Sequence, residues 1–351
     1  MQASGNLKKN RVILKKSKEI GRFYSKSDLG TLLTNTTLEL NVIEAAYLLG
    51  EKKLQIFQNK KKIDFPEFIK IAQQEIADFE IKYLVFKDLR CRGYNCRLYR
   101  TDSEFSFVIK KKQDTKSWNI TYIVAFSERD IFDSEQTRNH INISKKEKAL
   151  LWYAIVDEEG DITYYEITSF SPSGCIQEQH YPKATGVLFK ERILLFDKPL
   201  SKQLFNQEFY GKPFGDGLQL SLVEGLYLLK KGVLSLKTSS EASLSPTTFV
   251  QRSKTIQPDI EQRLLVFHDL KKRGLLVKTG FKFGAHFRAY TKKPDATHAE
   301  YLIHVMKKGF TGHWAEVSRA IRLAHSVNKD IFFARVERNI VEYMKLGRLK
   351  P

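Results

Sequence analysis

Leu38–Leu49 reads LELNVIEAAYLL and Leu218–Leu229 reads LQLSLVEGLYLL, so one segment occurs twice at an offset of 180 residues. Self-similarity that recurs in order at one offset indicates a tandem duplication, and its junction is expected near Tyr181–Thr185. Further matches at similar offsets are Arg11–Leu14 with Arg192–Leu195, Phe23–Tyr24 with Phe209–Tyr210, Val85–Leu89 with Val266–Leu270, and Arg92–Gly93 with Arg273–Gly274.

Each repeated segment contains a helix start. Asn41 with Glu44, and Ser221 with Glu224, have the spacing of a capping box, and a second helix is predicted to begin at Pro66 and at Pro258. Strands are predicted at Val12–Leu14, Leu38–Leu40, Gly186–Phe196 and Leu218–Leu220. After the second helix of the second repeat, the period of the apolar residues changes to two. This predicts strands at Leu275–Thr279, Phe287–Tyr290, Tyr301–Val305, Ile331–Val336 and Ile340–Tyr343, with one helix at Trp314–Val327.

These patterns predict an α+β fold made of two repeats. Each repeat is expected to pair a small N-terminal α+β domain with a mixed-sheet domain flanked by helices. The expected boundaries are 1–83 and 84–182 for a degenerate first repeat, and 183–256 and 257–351 for the second, whose last domain would be catalytic.

Composition narrows the class of protein. An apolar fraction of 42% in 351 residues, with 24 Phe and 15 Tyr, can build real cores. No long uncharged apolar run occurs, and Met1–Ile20 carries scattered Lys and Arg, so neither a membrane span nor a signal peptide is expected. Three cysteines, Cys91, Cys96 and Cys175, fit reduced thiols in or near the core. A cytoplasmic location is therefore expected.

The formal net charge is +19, with basic residues in both halves. Such an excess is typical of a protein with a polyanionic partner, because counterion release then drives binding. Nucleic acid is favoured over an anionic membrane surface, which usually selects one polybasic tail or a basic amphipathic helix.

The stretch Lys278–Lys329 contains the residues of a candidate site. Tyr290, His298 and Lys329 occur there in order, each beside an apolar segment and surrounded by Arg and Lys. Metal-free cleavage of RNA by its own 2′-hydroxyl needs a base, an acid and positive charge at the phosphorus, and these three residue types can supply them. Histidine suits the acid because its ordinary pKa lies near neutrality, whereas tyrosine acts as a base only near positive charge.

The two repeats differ at this set. Aligned through the Val-Phe-x-Asp-Leu match, Tyr290 falls opposite Ile109, and no histidine lies opposite His298. Lys329 falls opposite Ala149, with Lys148 adjacent, so a slip of one residue is also open. The first repeat is therefore interpreted as a structural copy. Six of the eight histidines follow Asp259, but no metal-ligand spacing accompanies them, so no metal or other cofactor is expected.

The first repeat has one feature that the second lacks. Its last predicted hairpin carries an acidic turn, where the second repeat has the shorter Glu337–Asn339. A solvated turn is the ordinary interpretation. In a chain of charge +19, the turn is also a candidate plug for a basic pocket on a second copy. The candidate dimer residues are Asp157, Glu158, Glu159 and Asp161.

The motifs of the second repeat resemble those of archaeal tRNA-splicing endonucleases. The segments that carry the resemblance are Lys278–Tyr290, Thr297–Leu302, Arg322–Lys329, Phe209–Pro213 and Leu218–Leu229. The resemblance covers Thr185–Pro351 and, more weakly, the first repeat. It implies a homodimer of duplicated chains, joined by the acidic hairpin and the C-terminal strands. Such a dimer would cut bulge-helix-bulge junctions in precursor tRNA without metal, leaving 2′,3′-cyclic phosphate and 5′-hydroxyl ends.

The resemblance also implies residue roles. Tyr290 would be the general base, His298 the general acid and Lys329 the charge that stabilises the transition state. Arg322 would stack on an extruded base, with Arg338 or Arg348 as its partner, and Lys282 and Arg288 are further candidate RNA contacts.

The full-length first repeat departs from the simplest duplicated members and resembles a rarer three-unit arrangement. Its basic segment Lys110–Trp118 has no counterpart in the second repeat and is a candidate RNA contact. Two alternative functions stay open: a non-catalytic basic RNA-binding or assembly protein of the same fold, and a metal-dependent nuclease.

Overall fold

The computed structural model describes residues 2–15, 17–99, 104–112, 118–293 and 299–351. Within them, the chain forms two small six-stranded sheets, together with one ten-stranded and one two-stranded sheet that both repeats share. The predicted duplicated α+β fold is confirmed. The four predicted domain boundaries remain a prediction.

The N-terminal domain of the first repeat is a six-stranded sheet with helices packed on it. Its strands lie in the order β3-β4-β2-β1-β5-β6, and β1 and β5 are its parallel pair. A π-helical turn, Gly21–Ser25, continues α1. The elements are β1 (Ala3–Lys8), β2 (Arg11–Leu14), α1 (Ser17–Ile20), β3 (Thr31–Thr34), β4 (Thr37–Leu40), α2 (Val42–Gly50), β5 (Leu54–Gln58), β6 (Lys61–Ile63), α3 (Phe65–Glu75) and α4 (Phe79–Cys91).

The mixed-sheet domain of the first repeat follows α4. It contains β7 (Cys96–Leu98), β8 (Phe107–Lys112), β9 (Trp118–Ser127), β10 (Ile131–Asp133), α5 (Ser134–Lys146), β11 (Leu150–Val156) and β12 (Ile162–Phe170).

The second repeat reproduces both domains. Its small sheet has the order β15-β16-β14-β13-β17-β18, again with one parallel pair, β13 and β17. The elements of its small domain are β13 (Ala184–Phe189), β14 (Arg192–Leu195), α6 (Lys198–Glu208), β15 (Lys212–Phe214), β16 (Gly217–Ser221), α7 (Leu222–Lys230), β17 (Leu234–Thr238), β18 (Ser243–Leu244), α8 (Pro246–Ile256) and α9 (Ile260–Lys272). Those of its mixed-sheet domain are β19 (Leu276–Thr279), β20 (Phe287–Tyr290), β21 (Tyr301–Lys307), β22 (Thr311–His313), α10 (Trp314–Ser326), β23 (Asp330–Glu337) and β24 (Ile340–Leu349).

Both predicted capping boxes are present, and each also ties its helix to a neighbouring turn. The Asn41 side chain accepts from Glu44 N, and Ser221 Oγ accepts from Glu224 N. Each glutamate then accepts a further backbone N–H, that of Gly30 at 3.0 Å and that of Gly211 at 2.8 Å. Since the same contact recurs in both copies, Gly30 and Gly211 are equivalent residues, 181 positions apart.

This equivalence corrects one sequence match. The turns before the two glycines are closed by N–H groups of Asp28 and Leu29 in one repeat and of Phe209 and Tyr210 in the other. Phe209 is therefore equivalent to Asp28, and the match of Phe23–Tyr24 with Phe209–Tyr210 is wrong.

The helix predicted from Pro66 and Pro258 is two helices in each repeat. Pro66 lies in the first turn of α3, and its counterpart is Pro246, which opens α8. Pro258 lies two residues before α9. The sequence pattern missed α8 because its exposed polar positions give only a weak apolar stripe.

The ten-stranded sheet joins the repeats. Its order is β19-β20-β21-β23-β24-β12-β11-β9-β8-β7, so the central antiparallel pair is β24 with β12. Ile167 pairs with Leu346 there, and Phe132 pairs with Gly312 between β10 and β22. Each of these pairs brings together equivalent residues of the two repeats, so the repeats are related by a pseudo-two-fold axis. Because β24 is bonded on both edges, to β12 and to β23, the predicted role of the C-terminal strand in the dimer is corrected to a contact between repeats.

The sheet is covered on both faces. One face packs against α4 and α9 and continues into the cores of the small domains. The other packs against α5 and α10 in a single cluster drawn from both repeats, with Trp314 almost fully buried at its centre. Such shared burial makes the two repeats one folding unit at this face.

One ion cluster also crosses between the repeats. The Arg335 side chain on β23 is 2% exposed and donates to Glu135 of α5 at 2.7 and 2.6 Å, to Glu342 at 2.9 Å and to Glu337 at 2.6 Å. Hydrogen bonds from Arg335 hold the pKa of Glu135 below its usual range. At the position related by the pseudo-two-fold axis, the sequence has Ile155 in place of Arg335 and Ala315 in place of Glu135. The Arg335–Glu135 pair therefore has no symmetry-related copy.

The cysteine prediction holds in part. Cys96 is buried, whereas Cys91 and Cys175 are exposed, and all three are free thiols. No helix in the described parts of the chain is long and apolar enough to cross a membrane.

Candidate functional site

A cavity of about 1010 Å³ opens at the end of the sheet in the second repeat. Tyr290, at the last position of β20, and Lys329, just before β23, both line it. The other lining residues are Phe283, Arg288, Ala299, Glu300, Tyr301, His325, Val327, Asn328 and Asp330. Two of the three predicted catalytic residues thus share one cavity.

Lys329 is placed by the end of α10. Asn328 adopts the left-handed conformation, with φ of +53°, which ends a helix. The N–H of Lys329 then donates to Ala324 O at 3.0 Å, and its Nζ donates to Ala299 O at 2.8 Å. Its Nζ also lies 5.7 Å from the centre of the Phe283 ring. The ammonium group is therefore held at the cavity by Ala299 O and the Phe283 ring.

Tyr290 is placed by close packing. Its side chain is 5% exposed and clusters with Leu276 and Ala299. Arg288, two residues earlier on β20, has its guanidinium 5.8 Å from the centre of the Tyr290 ring. Arg288 Nε is buried and makes no hydrogen bond among the described residues. The tyrosine thus sits beside a cation that has spare hydrogen-bonding capacity.

His298 lies outside the described residues, so its position stays a prediction. The chain is described again from Ala299, which lines the cavity and accepts the hydrogen bond from Lys329.

Strand register fixes how the repeats align at this site. Phe107 pairs with Ile123, and Phe287 pairs with Ile303, which places Lys110 opposite Tyr290. The match of Tyr290 with Ile109 was therefore wrong by one residue. Equivalent residues of the two repeats are 181 positions apart before β8 and 180 positions apart from β8 onward. Lys148 has φ of +52°, like Asn328, which confirms that Ala149 is opposite Lys329.

Aromatic side chains fill the equivalent region of the first repeat. Phe105, the counterpart of Ala285, stacks on Tyr122 with ring centres 4.5 Å apart. Tyr99 packs edge-on against both rings. The Tyr122 hydroxyl donates to Glu147, the counterpart of Val327. The first repeat keeps the fold here with a different set of side chains.

The predicted RNA-contact residues fall in three places. Arg288 lines the cavity, and Lys282 is exposed on the 3₁₀ turn Phe281–Phe283. Arg322, on α10, and Arg348, on β24, are both exposed, and the charges of both influence Tyr165. Burial raises the pKa of Tyr165, and the Ser318 hydrogen bond and the two arginine charges oppose that rise. Arg338 lies elsewhere, in the hairpin between β23 and β24, beside a second cavity.

Sequence reasoning missed several residues near the cavity. Phe283, Glu300 and Asp330 line it without having been assigned a role. Phe281, in the same turn as Phe283, is 87% exposed. Both phenylalanines belong to the stretch Lys278–Lys329, and the alternation of aromatic and basic residues there was a signal available from the sequence.

Net charge is concentrated around this site. Residues 257–351 contain 19 Lys and Arg against 9 Asp and Glu, a net charge of +10. The matching residues 84–182 contain 14 against 15, a net charge of −1. The second repeat thus carries most of the excess charge, which makes its mixed-sheet domain the stronger attractor of a polyanion.

The acidic hairpin is well ordered by its own contacts. Asp157 Oδ1 accepts from the N–H groups of Glu159 at 3.0 Å and Asp161 at 2.9 Å, and Gly160 has φ of +85°. Glu158 is exposed and pairs with Arg129. The hairpin therefore presents a rigid, acidic tip.

Two histidines lie close together beside β20. The ring centres of His286 and His304 are 4.3 Å apart, and His286 Nδ1 accepts from Val305 N at 2.7 Å. Burial, then the neighbouring His304 and Arg263, lower the pKa of His286 to about 3, against a smaller opposite effect of Asp259. Burial and Arg263 likewise lower the pKa of His304. Across the described residues, no group of three or more His, Cys, Asp and Glu side chains is arranged to hold a metal ion.

These histidines predict acid lability. Both histidines are neutral in the fold. Below the ordinary histidine pKa of about 6.5 the unfolded chain takes up protons that the native chain does not, so the free energy of unfolding decreases as the pH is lowered. His304 Nδ1 makes no hydrogen bond among the described residues, so His304→Leu should lose less stability between pH 7 and pH 5 than the parent. Urea midpoints at both pH values measure this. His180→Leu, at an exposed position, is the control, and equal pH dependence of all three proteins would contradict the prediction.

Comparison with known proteins matches both domains of each repeat. Residues 79–164 and 260–343 both match the tRNA intron endonuclease catalytic C-terminal domain. Residues 3–69 and 184–250 both match the tRNA intron endonuclease N-terminal domain. Each domain type occurs twice, which is a two-repeat organisation.

Curated relatives cover nearly the whole chain. A tRNA-splicing endonuclease of Methanococcoides burtonii is 36% identical over 348 residues, which are 97% of this chain and 98% of the relative. One of Methanosarcina mazei is 35% identical over 89% of this chain and 90% of the relative. One of Halobacterium salinarum is 29% identical over 94% and 95%.

Proposed function

The chain belongs to the tRNA intron endonuclease family, and from that premise we propose that it is an endoribonuclease that cuts precursor tRNA in tRNA splicing. The full-length relatives that bear the name tRNA-splicing endonuclease support this activity. The observation that carries the proposal is that Tyr290 and Lys329 line one cavity in the repeat that holds most of the positive charge.

The proposed reaction is transesterification within the RNA. The 2′-oxygen attacks the adjacent phosphorus, and the bond from phosphorus to the 5′-oxygen breaks, giving a 2′,3′-cyclic phosphate and a 5′-hydroxyl. Tyr290 takes the proton of the 2′-hydroxyl and His298 gives a proton to the leaving 5′-oxygen. No water is consumed and no metal is required.

Positive charge is the second element of the mechanism. Lys329 Nζ, oriented by Ala299 O, would stabilise the charge that develops on the phosphorane oxygens. Arg288, whose guanidinium lies 5.8 Å from the centre of the Tyr290 ring, lines the same cavity and would add a second positive charge that attracts the RNA phosphate.

We propose that the substrate is the bulge-helix-bulge junction. Bulged nucleotides expose bases that stack on arginine guanidinium planes. Arg322 and Arg348 both act on Tyr165 and are exposed, so Arg348 is the better partner for Arg322 in holding an extruded base. Arg338 is assigned to the second cavity instead.

The working form proposed is a homodimer joined through the acidic hairpin. A Cβ atom placed on Gly160 would lie 3.7 Å from Leu84 Cδ1, so the hairpin tip covers Leu84 in the first repeat. Its counterpart Leu265 instead lines an open cavity of about 560 Å³, because the hairpin there is shorter. That cavity is also lined by four basic residues, Lys230, Lys307, Lys308 and Arg338, and by two acidic ones, Glu261 and Glu337. Its excess of positive charge suits the acidic tip of a second copy.

Neutralising the hairpin tests the dimer. Asp157→Asn, Glu158→Gln, Glu159→Gln and Asp161→Asn together keep the turn acceptors and remove four charges. Sedimentation should then show a dimer dissociation constant at least about tenfold higher than that of the parent. The reason is that removing the charge from a hydrogen-bonded group costs ~1 kcal/mol or more. The control removes four exposed charges elsewhere, at Glu75, Glu191, Asp216 and Glu241. An unchanged dimer in the hairpin variant would refute this interface.

A further inference from the structure

The segment that links the repeats runs past the candidate site. Residues 171–183 connect β12 to β13 without helix or strand. Gly174 N donates to Arg273 O at 2.9 Å and Ile176 N donates to Gly274 O at 2.9 Å. The linker is thereby fixed to the end of α9, beside the edge strand β19.

Two glycines allow this crossing. A Cβ atom on Gly174 would overlap with the carbonyl oxygen of Gly274, and one on Gly274 would lie 2.7 Å from Gly174 O. Gly93 is the counterpart of Gly274 in the first repeat and also has positive φ, +88° against +75°. A Cβ atom on Gly93 would meet nothing within 4 Å. The close approach at Gly274 therefore serves the linker and not the turn itself.

The far end of the linker is held by a buried carboxylate. Glu208, at the end of α6, is 2% exposed and accepts from Gln179 N and from Tyr181 Oη, each at 3.0 Å. Lys271 neutralises it at 2.5 Å. Because the linker is anchored on both sides of Ile176, that side chain has a defined position.

Ile176 reaches the cluster that contains the candidate general base. It packs, together with Phe209, against the small cluster of Leu276, Tyr290 and Ala299. The Phe209 ring meets the Tyr290 ring edge-on at 6.3 Å between centres. Ile176 and Phe209 thus pack against the cluster that contains Tyr290, and the pair is named the Tyr290 wall.

The backbone of Phe209 carries strain. Its φ is +59°, and the equivalent residue of the first repeat, Asp28, has φ of +52°. Aspartate tolerates this left-handed conformation, whereas a bulky aromatic residue adopts it at a cost. Strain that persists where the other repeat avoids it indicates a function for the Phe209 side chain.

We propose that the Tyr290 wall is a positioning device for the reaction: the covalent linker between the repeats, through Ile176, and the strained Phe209 set the place of the Tyr290 ring. The inference rests on the proposed function, since it assigns Tyr290 as the base. Ile176 and Phe209 act through Tyr290 and touch no reacting atom.

The test compares matched glycine variants of the full chain. Gly274→Ala and Gly93→Ala both place an alanine at positive φ, but only the first pushes against the linker. With precursor tRNA carrying a bulge-helix-bulge intron, Gly274→Ala should lower the single-turnover cleavage rate constant about 10- to 100-fold, because small misplacements of a catalytic group have effects of this size. Gly93→Ala should stay within about threefold of the parent, and the RNA Kd of both should change less than about threefold.

A second pair guards against misfolding. Phe209→Gly relieves the strain and removes the ring, so its cleavage should slow by a similar factor without a loss of RNA binding, while Phe209→Tyr keeps the ring and should retain activity. Equal rates for Gly274→Ala and Gly93→Ala, or full activity of Phe209→Gly, would refute the inference. Measuring Tyr290→Phe in the same assay separates the failure of this inference from that of the proposed function. If Tyr290→Phe cleaves at the parent rate, the assignment of Tyr290 as the base is wrong, whatever the glycine variants show.

Discussion

Tyr290→Phe should slow cleavage of a bulge-helix-bulge precursor tRNA by roughly 10²–10⁴-fold, the usual contribution of a positioned general base. The substitution removes one hydroxyl oxygen from a side chain that is almost fully buried against Leu276 and Ala299. Packing of the ring should therefore survive, and the loss should appear in the rate constant with RNA affinity little changed.

Tyr301→Phe is the matched control. Tyr301 lines the same cavity, and its ring packs against Phe170 and Phe332. Removing its hydroxyl should leave the rate within about threefold of the parent, since it has no assigned proton to transfer. Comparable losses in the two variants would mean that the cavity needs tyrosine hydroxyls in general and that Tyr290 is not the base.

The same assay tests the rest of the mechanism. Carried out in EDTA with end-group analysis, it should give 2′,3′-cyclic phosphate and 5′-hydroxyl ends from the parent and near loss of cleavage from His298→Ala. A strict requirement for Mg²⁺, or full activity of His298→Ala, would return the chain to the alternatives of a metal-dependent nuclease or a basic RNA-binding protein.

Arg335→Met should destabilise the fold by about 3 kcal/mol, at the lower end of the effect of breaking a buried ion pair. Arg335 is 2% exposed and donates to three carboxylates from both repeats. Its removal leaves Glu135, Glu337 and Glu342 close together without their shared cation. Their side chains are 25–38% exposed, so solvent screening reduces the repulsion and sets the lower figure.

Denaturant unfolding followed by tryptophan fluorescence, to which Trp314 in the cluster shared by the two repeats contributes, measures this change. Arg138→Met is the control: Arg138 also pairs with Glu342, at 2.7 Å, but is 39% exposed, so its loss should cost less than about 1 kcal/mol. If the two variants unfold at the same denaturant concentration, Arg335 contributes no more than a surface ion pair.

Much of the site was predictable because its signals are local. The end of α10 at Asn328, the buried face of that helix and the limits of β20 follow from apolar periodicity and helix-termination rules acting within a few residues. The duplication added an internal comparison, which located the divergent first copy from the sequence alone. Register errors arose where the offset changed, as with Ile109, because similarity alone does not show which strand residues face each other.

The sequence by itself determined the duplicated α+β class, the capping boxes, the polyanion preference and the grouping of Tyr290 and Lys329 in one repeat. All of these depend on residue type and short spacing. Only the tertiary structure decided that β24 pairs with β12, that Arg335 meets Glu135, and that the linker reaches the cluster around Tyr290 through Ile176. These contacts join residues 100 to 200 positions apart, and they follow from the packing of whole sheets and helices, for which no local pattern in the chain provides a rule.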